Sequence, residues 1–264
     1  MVELGLIGYP LGHSFSAEYF NRKFKEEEID CVYTLFPMKS VDGIRNFIET
    51  QKSLTGLNVT IPHKESIIDS LDSISESAKS IGAVNVIAIE RTSGKFTLTG
   101  HNTDWKGFSH SLEKLITPEM TSALVLGTGG AAKAVAFALK RLGIRPTFVS
   151  RNPSNFSGNN MSSDIECIGY EDIDKKRIHD NLLIVNTTPL GMHPDVNSCP
   201  AIPYEYVGSR HLCYDLVYNP EKTMFLELAE KSGAKIKNGL EMLHLQADLS
   251  WDIWQPLIDR LNIR

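Results

Sequence analysis

The run Ala123-Leu124-Val125-Leu126-Gly127-Thr128-Gly129-Gly130-Ala131-Ala132 is followed by Ala134, Val135, Phe137, Ala138 and Leu142 at helical spacing, up to Gly143. Consecutive apolar residues read as a buried strand, the glycines as a tight turn, and the periodic apolar residues as a helix packed on a sheet. Glycine at 127, 129 and 130 removes Cβ atoms that would hold a ligand away, and the start of the helix presents N–H groups and a positive dipole end. Such a turn suits a pyrophosphate, and Ala132 in the sixth position is within the fingerprint of dinucleotide-binding βα units. An ordinary βα turn that uses glycine for compactness is the competing reading.

The next strand, 147–150, runs into Ser150-Arg151-Asn152. An NAD site places an acid there to bind two ribose hydroxyls; a guanidinium favours a 2′-phosphate instead, so the cofactor expected is NADP. A solvated surface arginine is the alternative. Further strands are expected at 182–186, 211–216 and 235–237, and 153–163, rich in Ser and Asn, reads as a polar loop.

Towards the N-terminus the same alternation holds. A strand at 3–8, a helix at 16–28, a strand at 31–36 and a helix capped by Ser40, with Val41, Ile44, Phe47 and Ile48 on one face, lead to a strand at 54–60. Strands at 84–90 and 95–99 flank Thr92-Ser93-Gly94 as a hairpin expected to close the first sheet. Thr103 can cap a helix carrying Phe108, Leu112 and Leu115. The expected fold class is therefore α/β: an N-terminal α/β substrate domain, 1–103, with a mostly parallel sheet, and a C-terminal Rossmann-like dinucleotide-binding domain, 104–239. The helical segment 240–264, with Trp251 and Trp254, is expected to pack back on the first domain.

Composition narrows the partners. With 264 residues, 42% of them hydrophobic, the chain can fill two moderate cores. A net charge of −5 supplies no basic stripe, which argues against nucleic acid. No segment approaches the roughly 18 apolar residues of a membrane span, and 1–9 lacks a basic leader, so a soluble cytoplasmic protein is expected, a monomer or homodimer with a small-molecule partner. Cys31, Cys167, Cys199 and Cys213 lack metal or redox spacing and read as free thiols. His13, His63 and His101 lack ligand spacing too; they read as turn or hydrogen-bonding residues, with no metal.

Three polar clusters fall where strands of the first domain end: Gly12-His13-Ser14-Phe15-Ser16, Asn58-Val59-Thr60-Ile61-Pro62-His63-Lys64 and Asn102-Thr103-Asp104. Parallel sheets bind ligands at such ends, and hydroxyl, amide and ammonium groups together suit a polyhydroxylated carboxylate. Taken singly, Ser14 and Ser16 also read as helix caps and Asn58 as a turn former.

With Gly82-Ala83-Val84-Asn85, Gly100-His101-Asn102-Thr103-Asp104, Asn186-Thr187-Thr188-Pro189-Leu190-Gly191-Met192, Asp215-Leu216-Val217-Tyr218 and Gly239-Leu240-Glu241-Met242-Leu243 leading to Gln246-Ala247, these clusters make nearly the whole chain resemble the shikimate dehydrogenase family. The resemblance implies NADPH-dependent reduction of 3-dehydroshikimate to shikimate in aromatic amino-acid biosynthesis. It further implies that Ser14 and Ser16 bind the substrate carboxylate, that Asn58, Thr60, Asn85, Asp104 and Gln246 hold its hydroxyls, and that Tyr218 sits close to it. Lys64 and Asp104 would be the catalytic pair, both touching substrate. On the cofactor side Gly127, Gly129, Gly130 and Ala131 match the phosphate turn, and Ser150, Arg151 and Asn152 stand where the family carries Asn-Arg-Thr. Thr187, Leu216, Gly239 and Met242 would line the nicotinamide and ribose.

The sequence departs from that pattern after Asn152, where Pro153, Ser154 and Asn155 bring no second basic residue, leaving Arg151 as the cation for the phosphate. Phe15 between the serines and Val86 after Asn85 also differ and are expected to alter packing only. Hydride delivery to a carbonyl leaves charge on oxygen that a nearby donor must neutralise. Lys64 fits that role with Asp104 fixing geometry, and which of the two moves the proton is left open. The alternatives are an NAD-preferring quinate/shikimate dehydrogenase and a non-catalytic shikimate-sensing protein; an acid–base pair argues against the second.

Overall fold

A computed structural model describes residues 1–12, 14–156 and 165–262. They fall into two compact units, Met1–Thr103 with Ala247–Arg264, and Asp104–Gln246.

The first unit is built on β1 (Val2–Gly8), α1 (Phe15–Glu26), β2 (Cys31–Pro37), α2 (Ile44–Thr50), β3 (Leu54–Val59), β4 (Ser73–Ile74), α3 (Glu76–Ile81), β5 (Val86–Thr92) and β6 (Lys95–His101). Its sheet runs β2-β1-β3-β5-β6-β4. β1 pairs in parallel with β2 and β3, whereas β5 is antiparallel to both β3 and β6. Thr92 pairs with Lys95, so the hairpin turns on Ser93 and Gly94 alone, at φ 51° and 81°. Two left-handed residues match the twist of the flanking strands. The hairpin does not close the sheet as expected: β4 adds a parallel edge beyond β6 through Ser73 and Ile74. Two residues are too few for a periodic signal. Nor does Ser40 cap α2. Its Oγ accepts from the Asp42 N–H at 3.0 Å in a local turn, and the helix starts only after Gly43, at φ 78°.

Alternation along the strands sorts side chains to two faces. Leu4, Leu6, Tyr33 and Val86 pack with Phe20 and Phe24 of α1, while Ile7, Leu57, Val59, Ile87 and Ile89 pack with Ile44 and Ile48 of α2.

The second unit contains α4 (Asp104–Leu112), β7 (Ser122–Leu126), α5 (Gly130–Arg141), β8 (Arg145–Ser150), β9 (Cys167–Gly169), α6 (Lys175–Asp180), β10 (Leu183–Asn186), β11 (Leu212–Asp215), α7 (Met224–Lys231) and β12 (Lys235–Lys237). The strand order is β12-β11-β10-β7-β8-β9, and each described pairing is parallel. Numbered within the unit this is 3-2-1-4-5-6, the doubly wound order, with its switch point between β7 and β10. β9, three residues long, was not foreseen. Ala123 and Val125 face a core with Phe108, Val135 and Leu139, and Leu124 and Leu126 face one with Phe225 and Ala229, so helices cover both sides. Of the expected polar loop, Pro153–Asn155 forms a short 3₁₀ turn, and 157–164 lie outside the described residues.

α8 (Leu240–Asn262) contributes its residues from Ala247 onward to the first unit. Trp254 is fully buried there against Phe20, and its indole N–H donates to the Ile87 carbonyl at 3.0 Å. Gly56 permits this contact, because a Cβ at that position would lie 2.3 Å from the Trp254 Nε1.

Candidate active site

In the first unit two of the predicted polar residues, Asn58 and Asn85, lie at strand ends in a buried network with Tyr33, Thr103 and Ser250. Asn58, 6% exposed near the end of β3, is no turn former. Its Oδ1 accepts from the Tyr33 hydroxyl at 2.6 Å, and its Nδ2 donates to the Asn85 carbonyl at 3.2 Å and to Ser250 Oγ at 3.3 Å. Asn85 answers through its own side chain: Nδ2 donates to Thr103 Oγ1 at 2.9 Å, and Oδ1 accepts from the Thr103 N–H at 2.7 Å. Thr103 Oγ1 and Ser250 Oγ are 3.3 Å apart. Buried polar groups must be satisfied, and here satisfaction fixes which way each amide points.

Ser14 stands at the N-cap position of α1, but its hydroxyl makes no cap bond. Ser16, half-buried, is the second residue of α1. Thr60 is half-buried just past β3, with its N–H on the Ile7 carbonyl at 2.9 Å. Lys64 follows one turn later, half-buried, its backbone carbonyl accepting from the Val84 N–H at 2.7 Å. His63 behaves as a hydrogen-bonding residue: it is buried, with Nε2 2.6 Å from the Met38 carbonyl oxygen. His101 is half-buried at the end of β6, and that burial lowers its pKa. His13 lies outside the described residues.

In the second unit the glycine turn lies at the carboxyl end of β7, beside the switch point. Gly127 has φ 112°, and a Cβ on it would come 2.7 Å from Thr187 Oγ1. Thr187 ties the ends of β7 and β10 together, its N–H and hydroxyl both donating to the Leu126 carbonyl, at 3.0 and 2.6 Å. Gly129 is the exposed N-cap of α5, and a Cβ there would meet nothing within 4 Å; Gly130 and Ala131 open the helix. Backbone donors at a helix start with clear space before them fit a dinucleotide's pyrophosphate. Past β8, Ser150 Oγ accepts from the Asn152 N–H at 3.1 Å, leaving Arg151 and Asn152 exposed. The Arg151 charge draws down the Tyr170 hydroxyl pKa, which burial raises by more.

Leu216 and Tyr218 are half-buried beyond β11, and Gly239 crosses that turn so closely that a Cβ would lie 2.1 Å from the Leu216 carbonyl oxygen. Met242 is buried in the core of the second unit. Gln246, 8% exposed, donates from Nε2 to the Leu243 carbonyl. Asp104, 5% exposed, is the first residue of α4. Gly107 one turn later lets that helix approach α8, where a Cβ would be 2.9 Å from the Met242 carbonyl oxygen.

Sequence reasoning passed over several of these partners. Tyr33 is hidden in an apolar strand pattern, although Ser250, a lone hydroxyl on the Ala247, Trp251, Trp254 helix face, was a readable signal. Asp215 was quoted only as part of a motif. It is fully buried, accepting from Asn186 Nδ2 at 2.9 Å, from the Val217 N–H at 3.0 Å and from the Thr223 hydroxyl. Burial pushes its pKa up to about 6 against those three donors. Among the described residues no group of three or more His, Cys, Asp or Glu could hold a metal ion, and no helix is long and apolar enough to cross a membrane. All four cysteines are free.

A parallel 3-2-1-4-5-6 sheet with a glycine turn at its switch point, joined in one chain to a mixed α/β unit carrying a buried amide and hydroxyl network, defines a dinucleotide-dependent oxidoreductase. Comparison with known proteins makes the class specific. Residues 6–87 match the shikimate dehydrogenase substrate binding domain. The shikimate dehydrogenase (NADP(+)) of Methanococcus maripaludis is 40% identical over 95% of this chain and 90% of its own length. Two solved shikimate 5-dehydrogenases superpose closely. That of Thermus thermophilus, in complex with NADP(H) and shikimate, has TM-score 0.82 and 29% identity over 97% of this chain and 94% of that one. That of Listeria monocytogenes, in complex with shikimate and NAD, has TM-score 0.81 and 28% identity over 98% and 96%. The chain belongs to the shikimate dehydrogenase family.

Proposed function

We propose that this protein reduces 3-dehydroshikimate to shikimate with NADPH. The observation that carries the proposal is the buried network of neutral amides and hydroxyls in the first unit, Asn58, Asn85, Thr103 and Ser250. Such groups suit a polyol, since each can donate to or accept from a hydroxyl without placing a charge beside it. Ser14 and Ser16 are assigned to the carboxylate, with Asn58, Thr60, Asn85, Asp104 and Gln246 on the hydroxyls and Tyr218 alongside.

Bound NADPH supplies the hydride; the protein's part is to hold the acid, exclude water and deliver a proton. Lys64 carries an ammonium able to protonate the alkoxide as it forms, and Asp104 orients both the lysine and the substrate hydroxyl. On the cofactor side Gly127, Gly129, Gly130 and Ala131 bind the pyrophosphate, Ser150, Arg151 and Asn152 bind the 2′-phosphate end, and Thr187, Leu216, Gly239 and Met242 form the nicotinamide and ribose side. The partners are then small molecules, with no nucleic acid or membrane, and the enzyme works in the cytoplasm as a monomer or homodimer. One observation favours relaxed cofactor choice: Arg151 is exposed and 153–164 contains no Lys or Arg, so its charge alone meets the phosphate. Initial rates of shikimate oxidation with NADP+ and with NAD+ test both points. Turnover with a lower KM for NADP+ is expected, while equal KM values would remove the phosphate-binding role of Arg151.

A further inference from the structure

β8 ends on Ser150 and lacks the acid that an NAD site carries there, yet a carboxylate stands at that end, brought by β9. Ser150 pairs with Gly169, and Phe148 with Cys167 two residues earlier. Phe148 lies in the core that α5 covers, with Cys167 packed against it, whereas Val149 and Ile168 face the opposite core. Side chains alternate along a strand, so Ser150 and position 169 share the face of α5, the helix that opens at the glycine turn.

Position 169 has no side chain of its own. Directly after it Tyr170–Asp172 form a 3₁₀ turn, closed by the Gly169 N–H donating to Asp172 Oδ2 at 2.9 Å. The turn folds Glu171 back over the glycine. A Cβ at 169 would lie 2.3 Å from both the Glu171 carboxyl carbon and its Oε1. The backbone there has φ −79°, which any residue can adopt, so the space a side chain would need is the space that the Glu171 carboxylate takes. Neighbouring strands lie about 5 Å apart, which sets this carboxylate beside Ser150. An acid at such a place accepts from the hydroxyls of an adenosine ribose and repels a 2′-phosphate. Arg151, the next residue after Ser150, has the opposite preference.

We propose that Glu171 is a specificity-determining residue, the acid that receives the adenosine ribose of NAD and limits the preference for NADP. This rests on the reading of the glycine turn and the end of β8 as the dinucleotide site. The chain then carries a determinant for each cofactor, Arg151 after β8 and Glu171 after β9.

Initial rates of shikimate oxidation with NAD+ and with NADP+ test it in wild type, Glu171→Gln, Gly169→Ala and the double variant. Glu171→Gln removes the charge and keeps the shape. It is expected to raise the KM for NAD+ about tenfold, the loss of hydrogen bonds to a charged acceptor. The KM for NADP+ should stay level or fall, and that for shikimate should stay within about twofold. Gly169→Ala keeps the acid and displaces it, so it should move the two cofactor KM values in the same directions. The double variant should match Glu171→Gln within about twofold, because the alanine then has no charge to displace. A KM for NAD+ within about threefold of wild type in Glu171→Gln overturns the proposal, and so does a rise shared equally by both cofactors, which marks a structural role. Should Gly169→Ala lose its thermal transition, Glu171→Gln, a change at an exposed residue, decides alone. A wild type that oxidises shikimate with NADP+ and not with NAD+ also overturns it. Turnover with neither cofactor removes the reading of the dinucleotide site first, and the proposal with it.

Discussion

In the roles proposed for them, Lys64 and Arg151 represent two ways in which one charge can serve this enzyme. Lys64 is half-buried just beyond β3, where the Val84 N–H donates to its backbone carbonyl, so the fold fixes the main chain that carries the ammonium. Lys64→Ala should lower kcat by roughly 10²- to 10⁴-fold, the range for losing a general acid, with a smaller change in shikimate KM. An unchanged kcat would take the lysine out of the mechanism. Arg151 is exposed, so solvent would screen the charge it is proposed to offer a 2′-phosphate. Arg151→Ala should raise the KM for NADP+ by about tenfold and leave that for NAD+ within about twofold, as read from initial rates with each cofactor. Equal effects on both would point to a general structural role. The residue types at 64 and 151 were legible from the sequence because each stands at a strand end. Tyr33 was not, since an apolar strand pattern gives no sign that one member carries a hydroxyl pointed at β3.

At the scale of elements, what the strand ends hold in place matters more than the strands. Asp215 at the end of β11 gathers Asn186 from the end of β10, the Val217 N–H and the Thr223 hydroxyl before α7. Asn186 in turn accepts from the Thr188 N–H and hydroxyl, at 3.0 and 2.6 Å, so one carboxyl orders the turns carrying Thr187 and Leu216. The folded-state pKa of Asp215 is raised to about 6. Its contribution to stability is thus fully present below the ordinary carboxyl range near pH 4 and is lost as pH rises through 6, by up to about 3 kcal/mol. Asp215→Asn keeps an acceptor for Asn186 and Val217 and can donate to Thr223, so it should gain stability relative to wild type as pH is raised from 4 to 7. Thermal melts of the two proteins across that interval check this, and parallel curves would contradict it. Trp254 plays the matching part in the first unit. Trp254→Ala should cost about 3–5 kcal/mol, a large cavity plus an Ile87 carbonyl left without its donor, measured by denaturant unfolding. Periodicity disclosed α8 and both tryptophans. It could not disclose β4 and β9, which at two and three residues are set by their neighbours and carry no pattern of their own.

Over the whole molecule, the strand order β12-β11-β10-β7-β8-β9 puts the glycine turn at the switch point, and the mixed sheet of the first unit brings Asn58 and Asn85 together through the pairing of β3 with β5. The alternation of strand and helix was legible throughout because parallel strands covered on both sides must be apolar, and helices on a sheet must repeat near 3.6 residues. Antiparallel insertion of β5 between β3 and β6 was not, as pairing partners depend on contacts distant in sequence. The polar clusters at 14–16, 58–64 and 102–104 announced a site, while the network that joins Asn58, Asn85 and Thr103 to Tyr33 and Ser250 needed the fold. The proposed reaction is hydride transfer from a reduced nicotinamide to a keto acid with protein-supplied protonation. Following NADPH absorbance after addition of 3-dehydroshikimate tests that directly. A stoichiometric fall is expected in the wild type, slowed at least about 100-fold in Lys64→Ala; a wild type that leaves NADPH unconsumed would rule the reaction out.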